Sequence, residues 1–340
     1  MIESVLLLIA ALVLVFVAAE LFTNALEYIG ERMGVSEGVT GSLFAAVGTA
    51  MPETIVPIVA ILAGGASVET NHAVGMGAIL GAPFMLATLG IGIMALAAGT
   101  SRGWQASLNP ETNGLRRDLR VFIPGFLLVI ASGLLPTGWE AARQGIATVL
   151  ILSYFFYVLR TVQASKALVE SGHGTEAHQK LYASKLGLPE AGWSAGVQLL
   201  IALSMLIIGA RMFVDGAGHV SELIGVSAFV VSLLIVPIAT ELPEKVNSVL
   251  WIRRHKDTLA FGNITGAMVF QGTVIPAIGM MIMPWHIDLG SAAGWSVSLA
   301  LGGAAWLWLM QTRAALQART LVLNALLYLS FGIYIALSFS

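Results

Sequence analysis

The stretch AELFTNALEYIGERMGVSEGVTGSLFAAVGTAMPE (Ala19–Glu53) returns, without a gap, as ARMFVDGAGHVSELIGVSAFVVSLLIVPIATELPE (Ala210–Glu244), 191 residues later. Eleven of the 35 positions are identical: Ala19, Phe22, Glu31, Gly34, Val35, Ser36, Val39, Leu43, Thr49, Pro52 and Glu53, with their partners. After a six-residue deletion, GAILGAPFML (Gly77–Leu86) falls on GNITGAMVFQ (Gly262–Gln271). The chain reads as one structural unit written twice.

Around these segments the chain is oily. Of 340 residues, 57% are hydrophobic and 11% charged, with a mean hydropathy of +0.86; a soluble domain carries about 25% charged residues. This is the composition of an integral membrane protein with many spans, whose partner is the lipid bilayer. The absence of cysteine removes disulfides, thiolate metal sites and cysteine nucleophiles. Basic clusters are short and border apolar runs, so no nucleic-acid binding is expected. No obligate protein partner is evident. The opening MIESVLLLIAALVLVFVAAE lacks a basic n-region and reads as a first membrane span, not a signal peptide.

A crossing helix needs about 20 apolar residues. Stretches with few or no charges fall at 4–26, 37–63, 72–99, 121–137, 144–160, 194–217, 225–252, 258–283, 289–310 and 320–339. The expected fold class is therefore all-α integral membrane, with ten transmembrane helices. Five belong to each copy. Five is odd, so the second copy enters from the opposite face, and the two five-helix units become inverted repeats about a pseudo-two-fold axis in the membrane plane. The expected domains are 1–163 (first repeat, spans 1–5), 164–193 (a cytoplasmic linker) and 194–340 (second repeat, spans 6–10). Loops on one side hold 14 Lys and Arg residues, those on the other only Arg143, while Arg211 and Lys245 lie within spans. The positive-inside rule makes the basic side cytoplasmic and puts both termini outside a plasma (inner) membrane, multi-pass. Trp104, Trp139, Trp193, Trp251 and Trp285 fall near span ends, as interfacial anchors do. In the linker, His173 and His178 read either as a metal pair or as solvated side chains.

Each copy places a proline and a glutamate together in mid-membrane: Pro52-Glu53 and Pro243-Glu244. A carboxylate there costs several kcal/mol unless it is paired, hydrated or protonated. Proline removes an N–H and pushes away the carbonyl four residues earlier, on Gly48 and Ala239. A loosened carbonyl beside a carboxylate is an oxygen site for a hard cation, and Thr49 and Thr240 add hydroxyls. Irregular backbone in the membrane is tolerated where it lines protein or a cavity. The pattern points to a cation path.

These segments resemble the alpha-repeats of the cation/calcium exchanger superfamily, which carry a GTSLPEL-like motif followed in the next helix by GN…GSN. The resemblance covers most of both halves. It implies that Glu53 and Glu244 are the central ion-binding carboxylates, that Thr49 and Thr240 ligate, and that Glu241, Asn263 and Gln271 belong to the second half-site. The family's large calcium-sensing domain of animal members is absent. Side-chain oxygens are thinned in the first copy: Ala50 stands for the motif's serine, Ala78 for its asparagine, and Gly81-Ala82-Pro83 for GSN. In the second copy the serines of the two motifs are Glu241 and Ala267. Such a site is not expected to hold three sodium ions.

Lys245 follows Glu241 by four residues, so the two can neutralise each other on a helix; alternatively Lys245 snorkels toward the cytoplasmic end near Trp251. Glu20 and Arg211 occupy equivalent positions in spans 1 and 6 and either pair or cap their own helices. The leading function is secondary active transport: a cation antiporter of the sodium/calcium or proton/calcium type, working by alternating access. Its cargo is an inorganic cation, Ca2+, Na+ or H+, and no cofactor is expected. The alternatives are a transporter of a different solute in which Lys245 replaces a bound cation, and a non-transporting membrane protein that kept the fold. No Ser/His/Asp set, HExxH or phosphate loop argues for an enzyme, and His72, His219, His255 and His286 flank spans.

Overall fold

The computed structural model describes residues 2–32, 45–63, 65–170, 180–185, 187–313 and 316–338, which are mostly helical with no strand among them. In chain order the helices are α1 (Ile2–Arg32), α2 (Ala45–Ala63), α3 (Val68–Arg102), α4 (Thr112–Leu134), α5 (Glu140–Glu170) and α6 (Tyr182–Lys185). There follow α7 (Gly192–Ile224), α8 (Ala228–Thr240), α9 (Leu242–Arg253), α10 (Asp257–Gln271), α11 (Val274–Ile282), α12 (Ala292–Thr312) and α13 (Ala318–Ser338). Among the described residues, seven stretches are long and apolar enough to cross a membrane: α1, α3, α5, α7, α10–α11, α12 and α13. Glu53–Leu62 in α2 and Ala228–Ile238 in α8 are shorter apolar helices. Leu6, Ile9, Val13, Leu152, Phe155, Phe156 and Leu159 are exposed, an arrangement suited to lipid. This is an integral membrane protein.

Two seams organise the bundle. In the first, α1 and α7 pack antiparallel over small residues. A Cβ on Gly209 would lie 2.9 Å from Val15, and one on Gly216 would lie 3.3 Å from Leu8. Ala11, Ala18, Ala202, Ala210 and Ala217 are fully buried. Small residues let helices approach closely where lipid supplies no hydrophobic drive. This register puts Glu20 level with Ser204, seven residues and about 10 Å from Arg211. The expected Glu20–Arg211 pair is accordingly missing from the ion pairs among the described residues. Glu20 is half-buried and Arg211 exposed.

In the second seam, α3 rests on α8. A Cβ on Gly77 would sit 2.4 Å from the Phe229 carbonyl oxygen, and one on Gly81 2.3 Å from that of Leu233. Only glycine allows that approach. Ser232 Oγ ties the seam by donating to Val74 O at 2.7 Å.

Several expected spans are interrupted. The stretch 225–252 is two helices, α8 and α9, and 258–283 is also two, α10 and α11. α3 carries a π turn at Leu86–Gly90. There Asn324 Nδ2 donates to Ala87 O at 2.7 Å and to Gly303 O at 3.0 Å, which satisfies backbone the π turn loosens. α5 continues to Glu170, into the expected linker. The linker's far end is pinned: Tyr182 N donates to Asn24 Oδ1 at 2.8 Å and Ala183 N to Gln198 Oε1 at 2.7 Å. Trp285 is no interfacial anchor: it is 3% exposed, lies against Gly279, and donates to Val129 O at 3.4 Å. Residues 37–44 of the expected second span, together with His173 and His178, lie outside the described residues.

Candidate functional site

The second Pro–Glu segment sits at a helix junction. α8 ends at Thr240, and Glu241 (φ −106°, ψ 10°) separates it from α9. Pro243 then falls at the start of α9, where its missing N–H breaks no helical bond. The sequence thus folds a break directly before Glu244. In the first copy, α2 runs from Ala45 to Ala63 and carries Pro52 and Glu53 inside it. The side chains of Thr49, Pro52 and Pro243 lie outside the described residues.

Lys245 turns back into the protein. Its Nζ lies 3.0 Å from Glu241 Oε2 and donates to Pro237 O at 3.2 Å and to Glu241 O at 3.4 Å. Glu241 is 0% exposed and Lys245 8%, so the ammonium does not snorkel. The peptide Lys245 N–H also donates to Glu241 O at 3.2 Å, which makes the pair a helical i,i+4 pair. A buried pair of this kind costs desolvation on both sides, and its geometry must repay it.

The carboxylates around it are less well served. Glu53 is 4% exposed, and neither of its oxygens has a hydrogen-bond partner. Glu244 Oε2, Glu241 Oε1 and Gln271 Oε1 are also buried without a partner. Burying a charged oxygen unpaired is expensive, so these atoms call for a cation, a proton or water. Glu53 on α2 lies within electrostatic reach of Glu244, Glu241 and Lys245, and Glu20 on α1 lies within reach of Glu244. The Gln271 side chain, at the end of α10, faces Glu241.

The remaining expected ligands are placed less directly. Thr240 is buried, and its hydroxyl donates to Val236 O at 3.2 Å, leaving its lone pairs as acceptors. Asn263 is half-buried; its Nδ2 donates to Glu244 O and to Ser248 Oγ, each at 3.1 Å, and so holds α10 to α9. Ser248, 0% exposed, is a supporting residue the sequence reading missed. Among the described residues, no three His, Cys, Asp or Glu side chains cluster as a metal site. A cation here would depend on mixed carboxylate, amide and backbone oxygens. Just beyond Glu53, Pro57, Ile58, Ile61, Ile79, Ile275 and Ile282 line a narrow apolar crevice with no room for a water molecule.

A second buried acid also escaped the sequence reading. Asp118 on α4 accepts from Tyr157 Oη at 3.0 Å and from Thr265 Oγ1 at 2.6 Å, with Arg117 Nε at 3.5 Å. Both its oxygens are partnered, so it ties α4, α5 and α10 together. The only signal was an acid inside RRDLR (Arg116–Arg120) at the edge of an apolar run.

Fold and site define a class: a membrane-embedded helical protein with a buried, oxygen-rich site between two similar helical segments. The sequence family described as sodium/calcium exchanger protein matches residues 3–163 and 194–340, and the chain belongs to that family. The inner membrane protein YrbG of Escherichia coli (strain K12) is 26% identical over 300 residues, covering 86% of this chain and 84% of YrbG. The crystal structure of the H+/Ca2+ exchanger CAX superposes with a TM-score of 0.70 at 17% identity, over 98% of this chain and 86% of that one. The sodium-calcium exchanger NCX_Mj gives a TM-score of 0.57 at 19% identity, over 98% of both chains. At such identities the structural likeness speaks for the fold.

Proposed function

We propose that the protein is a secondary active transporter, a cation antiporter that exchanges calcium for sodium or protons by alternating access. One observation carries this reading: Glu53 and Glu244, from matching Pro–Glu segments, are buried within reach of each other and keep unpartnered oxygens. Hard cations take oxygen ligands. Glu53, Glu241, Glu244, Gln271, Thr49, Thr240 and Asn263 supply them, aided by the backbone around Pro52 and Pro243.

The architecture we propose is ten spans in two inverted five-helix repeats. The shift of 185 residues that lays Gly77 on Gly262 also lays the π turn of α3 on the α10–α11 break. Thr88 and Thr273 match under it, and each donates to the carbonyl four residues earlier, on Phe84 and Val269. α1 and α7, joined by their small-residue seam, slide as a pair against α2, α3 and α8–α11. The basic loops put the linker in the cytoplasm and both termini outside the inner membrane.

The test is counterflow in proteoliposomes, scanning sodium, calcium, potassium and proton gradients. Glu53→Gln and Glu244→Gln should each reduce exchange to background; flux at the wild-type level in either variant sinks the assignment. The buried Lys245 ammonium favours a second reading, a solute bearing its own negative charge. Calcium binding to the purified protein, with and without Lys245→Ala, separates the two.

A further inference from the structure

We propose that Lys245 is a built-in cation that limits the site to two transported positive charges, so that exchange moves no net charge across the membrane. The proposal rests on the exchanger reading above and adds the charge load of the site. Three oxygens surround the Lys245 ammonium: a carboxylate oxygen of Glu241 at 3.0 Å and the carbonyls of Pro237 and Glu241 at 3.2 and 3.4 Å. A carboxylate and carbonyls at a helix break are the donors a free monovalent cation would use. Unlike a free ion, this one is covalently held to α9, is 8% exposed, and stays in every step of a cycle.

The charge balance follows. Fully ionised, Glu53, Glu241 and Glu244 carry three negative charges and Lys245 one positive, leaving a net of two negative for cations or protons to neutralise. Beyond these four, the half-buried Glu20 on α1 also reaches Glu244; it lies outside the buried set and is not counted in its charge. One divalent cation or two monovalent cations neutralise what remains. A third monovalent ion would add an uncompensated charge in a low-dielectric interior, where it is costly. Nor does α3 offer it a side-chain cage. Where α10 has Asn263 and Gln271, α3 has the buried Ala78 and Leu86. The same two charges then move in each direction.

The experiment uses the full chain in proteoliposomes, with the potential clamped by potassium and valinomycin. Calcium accumulation is read at equilibrium against a fixed sodium or proton gradient. For the wild type, the accumulation ratio should be the same at 0 and −100 mV. One net charge per cycle would change it about 50-fold per 100 mV. Lys245→Met frees the third place, and its ratio should become voltage-dependent toward that value. The double variant Glu241→Gln/Lys245→Met removes a charge of each sign and should return to voltage independence. A voltage-dependent wild type, a voltage-independent Lys245→Met, or a voltage-dependent double variant each overturns the proposal. If Lys245→Met does not fold, the wild type and the double variant decide. A wild type that moves no cation in any gradient overturns the exchanger reading instead, and is distinguished as absent flux, not charged flux.

Discussion

Glu53 and Glu244 close the same Thr-x-x-Pro-Glu phrase, yet the two copies fold it differently. In the first, α2 runs on through the phrase from Ala45 to Ala63. In the second, the helix parts at Glu241 and restarts at Leu242. Two positions in and just after the phrase also differ in charge. Glu241 and Lys245 stand where the first copy has Ala50 and Thr54. Their ion pair fills the second break with its own cation and covers the Pro237 and Glu241 carbonyls. Glu53, by contrast, keeps both oxygens unpartnered. The second copy brings a cation of its own, and the first leaves its carboxylate without one.

The strongest way to break this contrast is at Glu53. Glu53→Gln should cut exchange by roughly 100-fold or more while leaving the melting temperature in detergent unchanged or higher, because it removes an unpaired buried charge. Next comes Lys245→Met. It strips the buried Glu241 of its counter-charge and should cost about 3–5 kcal/mol of stability, measured by denaturant unfolding in detergent. Adding Glu241→Gln should recover most of that loss; no recovery would mean the pair is not what holds the break.

The helices that follow give a milder comparison. Gly81→Ala drives a methyl onto the Leu233 carbonyl at 2.3 Å and should cost about 1–3 kcal/mol. The matching Gly266→Ala meets only Tyr157 Oη at 3.8 Å among the described residues and should stay within about 0.5 kcal/mol. Equal thermal shifts in the two variants would deny the asymmetry of the seams. Asn263→Ala falls between these two. Two hydrogen bonds at about 0.5–1 kcal/mol each are lost, and apparent calcium affinity, read by isothermal titration, should fall less than tenfold.

Much of this was legible in the chain itself. The duplication, the membrane composition and the paired Pro–Glu segments are linear features, and the helical fold and family follow from them. The i,i+4 spacing of Glu241 and Lys245 showed that they could meet, but not that they would. That outcome depends on burial: shut inside the bundle, the ammonium takes the nearest oxygens instead of reaching for the interface. Glu20 and Arg211 failed the opposite way. Equivalent places in two repeats suggested a pair, and the antiparallel register of α1 on α7 moved them about two turns apart. Asp118 was hidden because its partners Tyr157 and Thr265 are 39 and 147 residues away.

By itself, then, the sequence determined which residues carry charge into the membrane and that they come in two related sets, because composition and repetition are properties of the chain. Only the tertiary structure decided which charges find partners. Glu241 and Asp118 are held by neighbours, whereas Glu53 is left with none. The physical reason is that an ion's cost inside a membrane protein is set by the few ångströms around it, and those are furnished by helices distant in the chain.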